Sequence, residues 1–250
     1  MNVYKKIQAN IAQGKKQIAV LLDPDKIVIQ ADFIQQIELF ERSGIDFFFI
    51  GGSIVEEQHF RKVVDFLAEH CQIPLILFPG AHYQIHEAAD ALLFLSLVSG
   101  RNAEYLIGQQ VKASKQVQQM QLETIATAYM LIDGGRTSTT AYVTQTQAIP
   151  RNEIDIAVST ALAAKMLGMQ AIYLEAGSGA HFPVPTTMIE AVKKEIVLPL
   201  IIGGGIRNKE EAQAIFAAGA DIIVIGNALE KNPKLIEEMM KLQISNSKII

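Results

Sequence analysis

Eight short apolar runs, separated by stretches with helical character, constrain the fold of this 250-residue chain more than any other feature. Near-continuous apolar runs are typical of parallel strands buried on both faces, and their alternation with helices implies right-handed crossovers. Eight such units need about 250 residues and close into a barrel. The sequence therefore predicts an α/β protein, a (β/α)8 TIM barrel, with residues 1–250 as a single domain. The runs are residues 18–22, 47–50, 75–78, 92–98, 125–132, 171–174, 200–202 and 222–225.

Two segments depart from the regular strand-helix pattern. Residues 1–17 carry Val3 and Ile7 at helical spacing among lysines, which predicts an N-terminal capping helix. Between residues 80 and 91, only about ten residues remain for two loops and a crossover helix, which is too few. The third helix is therefore predicted to be missing or vestigial. Its absence leaves the barrel wall open for a long apolar ligand, with Phe78 and Tyr83 as the expected groove residues.

Composition and charge exclude several classes of partner. The formal net charge is −4 and no long run of basic residues occurs, so binding to nucleic acid is not expected. Cys71 is the only cysteine, which excludes an internal disulfide and a thiolate metal cluster and fits a reducing compartment. The most apolar stretch, residues 91–98, is too short to span a bilayer. We expect a soluble cytoplasmic protein.

Glycines concentrate where strands six, seven and eight end. In a TIM barrel the catalytic groups come from the C-terminal ends of strands, and these ends read 175–179, 203–205 and 226–227. Glycine lets backbone N–H groups approach an anion closely. Three adjacent turns of this kind predict a phosphate-binding cup, although each glycine alone is equally well explained by a tight strand-to-helix turn. A polar segment at residues 136–151 follows strand five and is predicted to act as a lid.

Candidate metal ligands lie at the ends of strands one and two. Asp23 and Asp25 flank a proline, and one carboxylate with a substrate diphosphate and waters is a normal Mg²⁺ environment. The alternative for this pair is turn formation and helix capping. Ser53 faces them and either approaches the same ion or serves as a turn hydroxyl. His82 and His86 are four residues apart without a third ligand, so we expect surface histidines rather than zinc.

Glu175 is the best candidate for a catalytic base. It follows the apolar end of strand six and precedes small residues, which places a carboxylate beside the predicted phosphate cup. The alternative is a buried ion pair, with Arg207 as the obvious partner. Tyr173 either offers its hydroxyl to the site or packs in the core.

Together these motifs resemble the geranylgeranylglyceryl phosphate synthase family. The resemblance spans nearly the whole chain, and its most specific part is Tyr-Leu-Glu-Ala-Gly-Ser-Gly at residues 173–179. The family also shares the missing third helix. The other matching segments are Leu-Asp-Pro-Asp-Lys at 22–26, Gly-Gly-Ser at 51–53, Gly-Gly-Gly-Ile at 203–206 and Gly-Asn at 226–227.

The resemblance implies a prenyltransferase. Such an enzyme forms the ether bond between a polyprenyl diphosphate and sn-glycerol 1-phosphate and releases diphosphate, the first ether-forming step of ether-lipid biosynthesis. Asp23 and Ser53 are implied to contact Mg²⁺. Relatives are homo-oligomers, and membrane contact is expected at most peripherally, through the lipid product. The residues implied to hold the glycerol phosphate are Tyr173, Leu174, Glu175, Ala176, Gly177, Ser178, Gly179, Gly204, Gly205, Gly226 and Asn227.

Two positions separate this chain from the bacterial heptaprenyl relatives. Those proteins carry Tyr-Leu-Glu-Tyr-Ser-Gly and a lysine two residues before the first aspartate, where this chain has Leu21. Both differences favour geranylgeranyl diphosphate as the donor. They leave open whether Lys26 replaces the missing lysine, and the sequence does not fix the donor length or the size of the oligomer.

Two other functions use the same phosphate cup. One is another phosphate-binding barrel isomerase or lyase, although an aldolase needs a lysine at a strand end and no strand here clearly ends in one. The other is a noncatalytic barrel that senses phosphate. Such a protein binds glycerol phosphate but makes no product from a prenyl diphosphate.

Overall fold

The computed structural model describes residues 2–246 and shows a closed barrel of eight parallel strands in chain order. Pairing of β1 with β8 completes the ring. The TIM-barrel prediction is confirmed. Residues 1 and 247–250 lie outside the described part, so the single domain of residues 1–250 stays a prediction. The strands are β1 (Gln17–Leu22), β2 (Phe47–Ile50), β3 (Leu75–Leu77), β4 (Ala91–Leu97), β5 (Glu123–Leu131), β6 (Ala171–Glu175), β7 (Leu200–Gly203) and β8 (Ile222–Ile225).

The helices surround this barrel except between β3 and β4, where the chain forms only turns. The predicted loss of the third crossover helix is confirmed. Within residues 2–246, none of the helices is long and apolar enough to cross a membrane. The helices are α1 (Val3–Ala12), α2 (Ala31–Ser43), α3 (Glu57–His70), α4 (Gln109–Met120), α5 (Thr139–Thr144), α6 (Ile154–Met166), α7 (Thr186–Glu195), α8 (Lys209–Ala217), α9 (Asn227–Lys231) and α10 (Leu235–Asn246).

Alternating side chains divide the interior into an inner and an outer apolar layer. In β2, Phe47 and Phe49 point into the barrel, whereas Phe48 and Ile50 pack under the helices. This is the two-residue period of a strand that is buried on both faces.

Helix α1 closes the end of the barrel where the strands begin. Its Val3 and Ile7 side chains join the inner apolar layer. The Glu123 carboxylate at the start of β5 accepts hydrogen bonds from the backbone amides of Val3 (2.7 Å) and Tyr4 (2.8 Å). A carboxylate at a helix N-terminus is favourable because the first amides have no partner within the helix. The predicted capping helix is therefore present.

The barrel wall is split between β3 and β4. These strands pair only at Ile76 with Ala91 and at Leu77 with Leu92, whereas β4 pairs with β5 along its whole length. Beyond Leu92, β4 does not pair with β3, and side chains make hydrogen bonds there instead. The side-chain amide of Gln110 donates to the Leu95 carbonyl, and the Ser96 hydroxyl donates to the Leu106 carbonyl. The split opens the interior of the barrel towards α4.

Candidate active site

The carboxyl ends of the strands surround an open cavity with about 1160 Å³ of space, which we call the glycine pocket. One side comes from the loops after β6, β7 and β8, and the opposite side comes from the ends of β1 and β2. The predicted site residues that line it are Asp23, Ser53, Tyr173, Glu175, Ser178, Gly179, Gly204, Gly205, Gly226 and Asn227. The structure thus brings the two predicted halves of the site to one mouth.

Backbone amides of the glycine loops point to no acceptor in the protein. In the described part of the chain, the N–H groups of Ser178, Gly179, Gly204 and Gly205 donate to no protein atom. Unpaired amides that converge on a cavity form a binding site for an anion. Leu174, Ala176 and Gly177 support this loop but do not line the pocket.

Gly204 shows why glycine is required here. Its backbone is left-handed, with φ of +81°, and an added Cβ would lie 2.7 Å from the Gly177 nitrogen and 2.5 Å from a Glu175 carboxylate oxygen. Any side chain would push the loops after β6 and β7 apart. The close approach of the two loops therefore depends on this residue.

Glu175 is buried at the base of the glycine pocket, with 7% of its surface exposed. One carboxylate oxygen accepts a hydrogen bond of 2.7 Å from the Gly177 amide. Burial raises the pKa of Glu175 to about 7, although the Gly177 amide and the Tyr173 hydroxyl oppose that rise. A carboxylate with a pKa near neutrality is suited to general base catalysis.

The alternative ion pair between Glu175 and Arg207 is wrong. The Arg207 guanidinium donates instead to the backbone carbonyls of Ala180 and His181. The reason is geometric: the β6–α7 loop lies against the loop after β7, and its carbonyls are within hydrogen-bond distance of the guanidinium. Among residues 2–246, no cation forms an ion pair with Glu175, and its burial is the cause of its raised pKa.

Tyr173 packs in the core and also lines the pocket. It is fully buried, and its ring stacks on Phe78 with 5.2 Å between the ring centres. It also lines the glycine pocket beside Glu175. Burial and the adjacent Glu175 carboxylate raise the pKa of Tyr173 well above its ordinary value, so its hydroxyl keeps its proton.

Asp23 carries a buried carboxylate oxygen, Oδ1, with no hydrogen-bond partner in the described residues. Its other oxygen lies 3.4 Å from the Lys26 ammonium. Burial raises the pKa of Asp23, although the Lys26 ammonium opposes that rise. A carboxylate oxygen without a partner, on a residue that lines the glycine pocket, fits Mg²⁺, which takes few protein ligands. No cluster of three or more acidic, histidine or cysteine side chains capable of holding a metal ion occurs in residues 2–246.

Ser53, Asp25 and Lys26 occupy different positions around Asp23. The Ser53 hydroxyl lies 2.9 Å from the Thr140 hydroxyl of α5, at the rim of the pocket. Asp25 accepts a hydrogen bond from the Glu56 amide, so it connects this turn to the start of α3. Asp23 precedes the short helical turn Pro24–Lys26 without capping it through its side chain. Lys26 pairs with Glu230 at 3.1 Å and lines the same pocket as Leu21.

A second cavity, the apolar groove, occupies the split in the barrel wall. It has about 820 Å³ of space, including its open mouth. The groove lies directly beside the glycine pocket, because five residues line both cavities: Gly52, Ser53, Phe78, Tyr129 and Thr140. Its apolar walls are Phe78, Ile85, Leu92, Leu93, Phe94, Leu95, Leu97, Ala113, Tyr129 and Val143.

Two expectations about side chains and one about a segment need correction. Tyr83 does not line the groove, because its hydroxyl donates to the Val55 carbonyl at 3.0 Å. His86 is not a surface residue: it is 2% exposed, and its Nε2 lies 3.3 Å from Asp65 on α3. Residues 136–151 are not a plain loop, since they contain α5, whose residue Thr140 lines both cavities.

Sequence comparisons match the chain to one family model and to relatives that share one enzyme name. A model of the PcrB family matches residues 11–246. A geranylgeranylglyceryl phosphate synthase from Chitinophaga pinensis is 45% identical over 95% of this chain and 94% of its own length. One from Thermococcus gammatolerans is 42% identical over 91% of this chain and 90% of its own length.

Solved structures agree with the sequence comparisons. The (S)-3-O-geranylgeranylglyceryl phosphate synthase from Thermoplasma acidophilum, in complex with its substrate sn-glycerol-1-phosphate, superposes with a TM-score of 0.91 at 32% identity. The match covers 97% of this chain and 98% of that one. A thiamine phosphate pyrophosphorylase from Pyrococcus furiosus, at 13% identity and a TM-score of 0.58, shares only the fold.

Proposed function

This chain belongs to the PcrB family, and on that premise we propose that it joins geranylgeranyl diphosphate, or another polyprenyl diphosphate, to sn-glycerol 1-phosphate. The ether product and diphosphate are formed, which is the first ether-forming step of ether-lipid synthesis. The observation that carries the proposal is that the glycine pocket and the apolar groove are adjacent and share Phe78 and Tyr129 as lining residues. A pocket lined by unpaired backbone amides beside an apolar groove suits a phosphorylated acceptor and an isoprenoid donor.

The glycine pocket holds the acceptor. The free amides of Ser178, Gly179, Gly204 and Gly205 bind the phosphate of sn-glycerol 1-phosphate. This places the glycerol hydroxyls towards Glu175 at the base of the pocket. The relative from Thermoplasma acidophilum, which binds the same compound, supports this assignment.

Glu175 takes the proton in the chemical step. The allylic C1–O bond of the donor breaks, and diphosphate leaves with the bonding electrons. The primary hydroxyl oxygen of the acceptor bonds to C1, and its proton passes to the Glu175 carboxylate. Because the pKa of Glu175 is about 7, the carboxylate is ionised often enough at neutral pH to accept that proton.

Asp23 is the residue that would hold Mg²⁺, with the Ser53 hydroxyl beside it. The ion, when bound, neutralises negative charge on the diphosphate leaving group. Lys26 lies within 3.4 Å of Asp23 and adds a second positive charge at this end of the pocket. Phe78 and Tyr129 position the allylic end of the donor between the two cavities.

The proposal extends to the donor chain and to the setting in which the protein acts. The geranylgeranyl chain is favoured over longer donors by the sequence differences at residues 21 and 176–179. From the sequence we also predict a cytoplasmic location, a homo-oligomeric assembly and a single domain over residues 1–250. We expect at most peripheral contact with membranes and no nucleic-acid partner.

One incubation tests the function. The protein is mixed with labelled sn-glycerol 1-phosphate and with farnesyl, geranylgeranyl or heptaprenyl diphosphate, in magnesium or in chelator. We expect an ether product with geranylgeranyl diphosphate that requires magnesium. Binding of glycerol phosphate without any product would favour the noncatalytic phosphate-binding barrel. Turnover of a sugar phosphate alone would favour an isomerase or lyase.

A further inference from the structure

The two halves of the phosphate site come from different loops, and their relative position must be fixed by something other than the ligand. Ser178 and Gly179 belong to the β6–α7 loop, whereas Gly204 and Gly205 belong to the loop after β7. Neither loop is helical or extended at these residues. A phosphate held by both pairs of amides binds tightly only if the pairs are already placed correctly, because ordering loops costs free energy on binding.

Arg207 connects the two loops. It extends from the loop after β7, and its guanidinium donates to two successive carbonyls of the other loop, Ala180 and His181, the latter at 2.9 Å. Below it, a Cβ on Gly205 would lie 2.8 Å from the Phe182 backbone, so the loops are in direct contact. Two hydrogen bonds from one planar group fix both distance and orientation, which a single bond does not.

The charge of Arg207 is also not neutralised. Its two acceptors are neutral carbonyls, and among residues 2–246 no carboxylate forms an ion pair with it. The nearby Glu211 carboxylate accepts a hydrogen bond of 2.7 Å from the Arg207 backbone amide and none from its guanidinium. Because Arg207 lines the glycine pocket, its positive charge acts on any anion bound there.

We propose that Arg207 is a positioning residue that holds the β6–α7 loop against the loop after β7 and thereby sets the affinity for the phosphorylated acceptor. It acts on acceptor binding and leaves donor binding and the alkyl transfer step largely unchanged. The identity of the acceptor rests on the proposed function, but the role of Arg207 in binding phosphate does not.

The test compares Arg207→Gln, Arg207→Lys and the control Arg61→Gln. Arg61 lies on α3, pairs with Glu87 and lines neither cavity. Calorimetry measures the Kd for inorganic phosphate and for sn-glycerol 1-phosphate, without any donor. We expect R207Q to raise both Kd values about tenfold, the worth of one hydrogen bond from a charged group. R207K keeps the charge but reaches only one carbonyl, so we expect an increase of about threefold. R61Q should leave both values unchanged.

Kinetics separate positioning from general damage. For R207Q we expect the KM for the acceptor to rise, while the KM for the donor and kcat at saturating acceptor stay within about twofold of the unmodified protein. Unchanged phosphate affinity in R207Q overturns the proposal, and so does R207K binding as tightly as the unmodified protein. A parallel loss of Tm, donor binding and kcat also overturns it. If R207Q does not fold, R207K decides alone by the same criteria.

Failure of the two proposals can be told apart. If the unmodified protein makes no ether product but its phosphate affinity falls in R207Q, the prenyltransferase function is wrong and the role of Arg207 stands. If product forms and R207Q binds phosphate normally, the prenyltransferase function stands and the role of Arg207 is wrong.

Discussion

The glycine pocket and the apolar groove are adjacent cavities made in opposite ways. The pocket consists of backbone amides in tight turns, where Gly204 and Gly205 leave no room for a side chain. The groove consists of side chains along β4 and α4, and it exists because β3 pairs with β4 at only two positions. Backbone sites tolerate almost no substitution, whereas a wall of apolar side chains adapts to changes of volume. We therefore expect changes in the pocket to be severe and changes in the groove to be graded.

The most severe loss is expected for Glu175→Gln. The substitution keeps the shape of the side chain but removes the proton acceptor, so kcat should fall about 100- to 10,000-fold. The Kd for sn-glycerol 1-phosphate should change much less, because the phosphate amides are untouched. Steady-state kinetics and calorimetry measure the two effects. Glu190→Gln, at an exposed position on α7, is the control. Equal activity in E175Q would remove the base from the mechanism.

A smaller but still severe effect is expected for Gly204→Ala. The new methyl group would lie 2.7 Å from the Gly177 nitrogen and separate the two loops. We expect the Kd for inorganic phosphate to rise about 10- to 100-fold, the worth of a hydrogen bond to a charged group. Gly168→Ala is a matched control, since its φ is also positive at +86° but nothing lies within 4 Å of the added atom. Similar losses of affinity in both variants would mean that backbone strain, not the close approach, matters.

The pH dependence of kcat/KM should come from Glu175 in the pocket. Glu175 acts as a base when ionised, and its pKa is about 7, so kcat/KM should fall about tenfold for each pH unit below that value. Since this pKa is raised above the ordinary 4.5, the native state holds the proton more tightly than the unfolded chain does. Its contribution to stability is present at low pH and is lost as the pH rises through 7. Titration of unfolding free energy should show this loss in the unmodified protein but not in E175Q.

A graded effect is expected for Ala113→Phe in the groove. Ala113 is 5% exposed and lines the groove on α4, so a larger ring takes space from the donor chain. We expect the KM for geranylgeranyl diphosphate to rise about tenfold, with a smaller rise for farnesyl diphosphate. The affinity for glycerol phosphate should not change. Ala163→Phe, on the exposed face of α6, serves as the control. Equal losses for both donors would contradict a groove that holds the chain.

The smallest effect is expected for Tyr83→Phe. The substitution removes the hydrogen bond to the Val55 carbonyl and should lower the free energy of unfolding by about 1 kcal/mol. Because Tyr83 does not line the groove, the KM for the donor should stay the same. An increase in that KM without loss of Tm would mean that Tyr83 contacts the donor in the groove.

The sequence predicts the pocket well because glycine itself marks the backbone geometry. Gly177, Gly179, Gly204 and Gly205 all adopt positive φ, as their positions at strand ends suggest. The barrel is predictable for a similar reason, since the length and spacing of the apolar runs define the strands. Counting residues between strands three and four also located the missing helix.

Side-chain partners between distant segments were less predictable. The alternative to a catalytic role for Glu175 is an ion pair with Arg207, but Arg207 donates to the carbonyls of the β6–α7 loop. His86 was expected at the surface, yet its segment folds back on α3 and buries it beside Asp65. In both cases the outcome depends on how an irregular loop packs, and residue type and spacing carry no information about that.

The split wall between β3 and β4 has a thermodynamic consequence. The chain between β3 and β4 forms turns and no helix, and the apolar groove lies along the part of β4 that does not pair with β3. An isoprenoid chain bound there would complete the fold with atoms that the polypeptide does not supply. The donor would then stabilise the folded state by mass action, so that the protein and its lipid share one apolar interior.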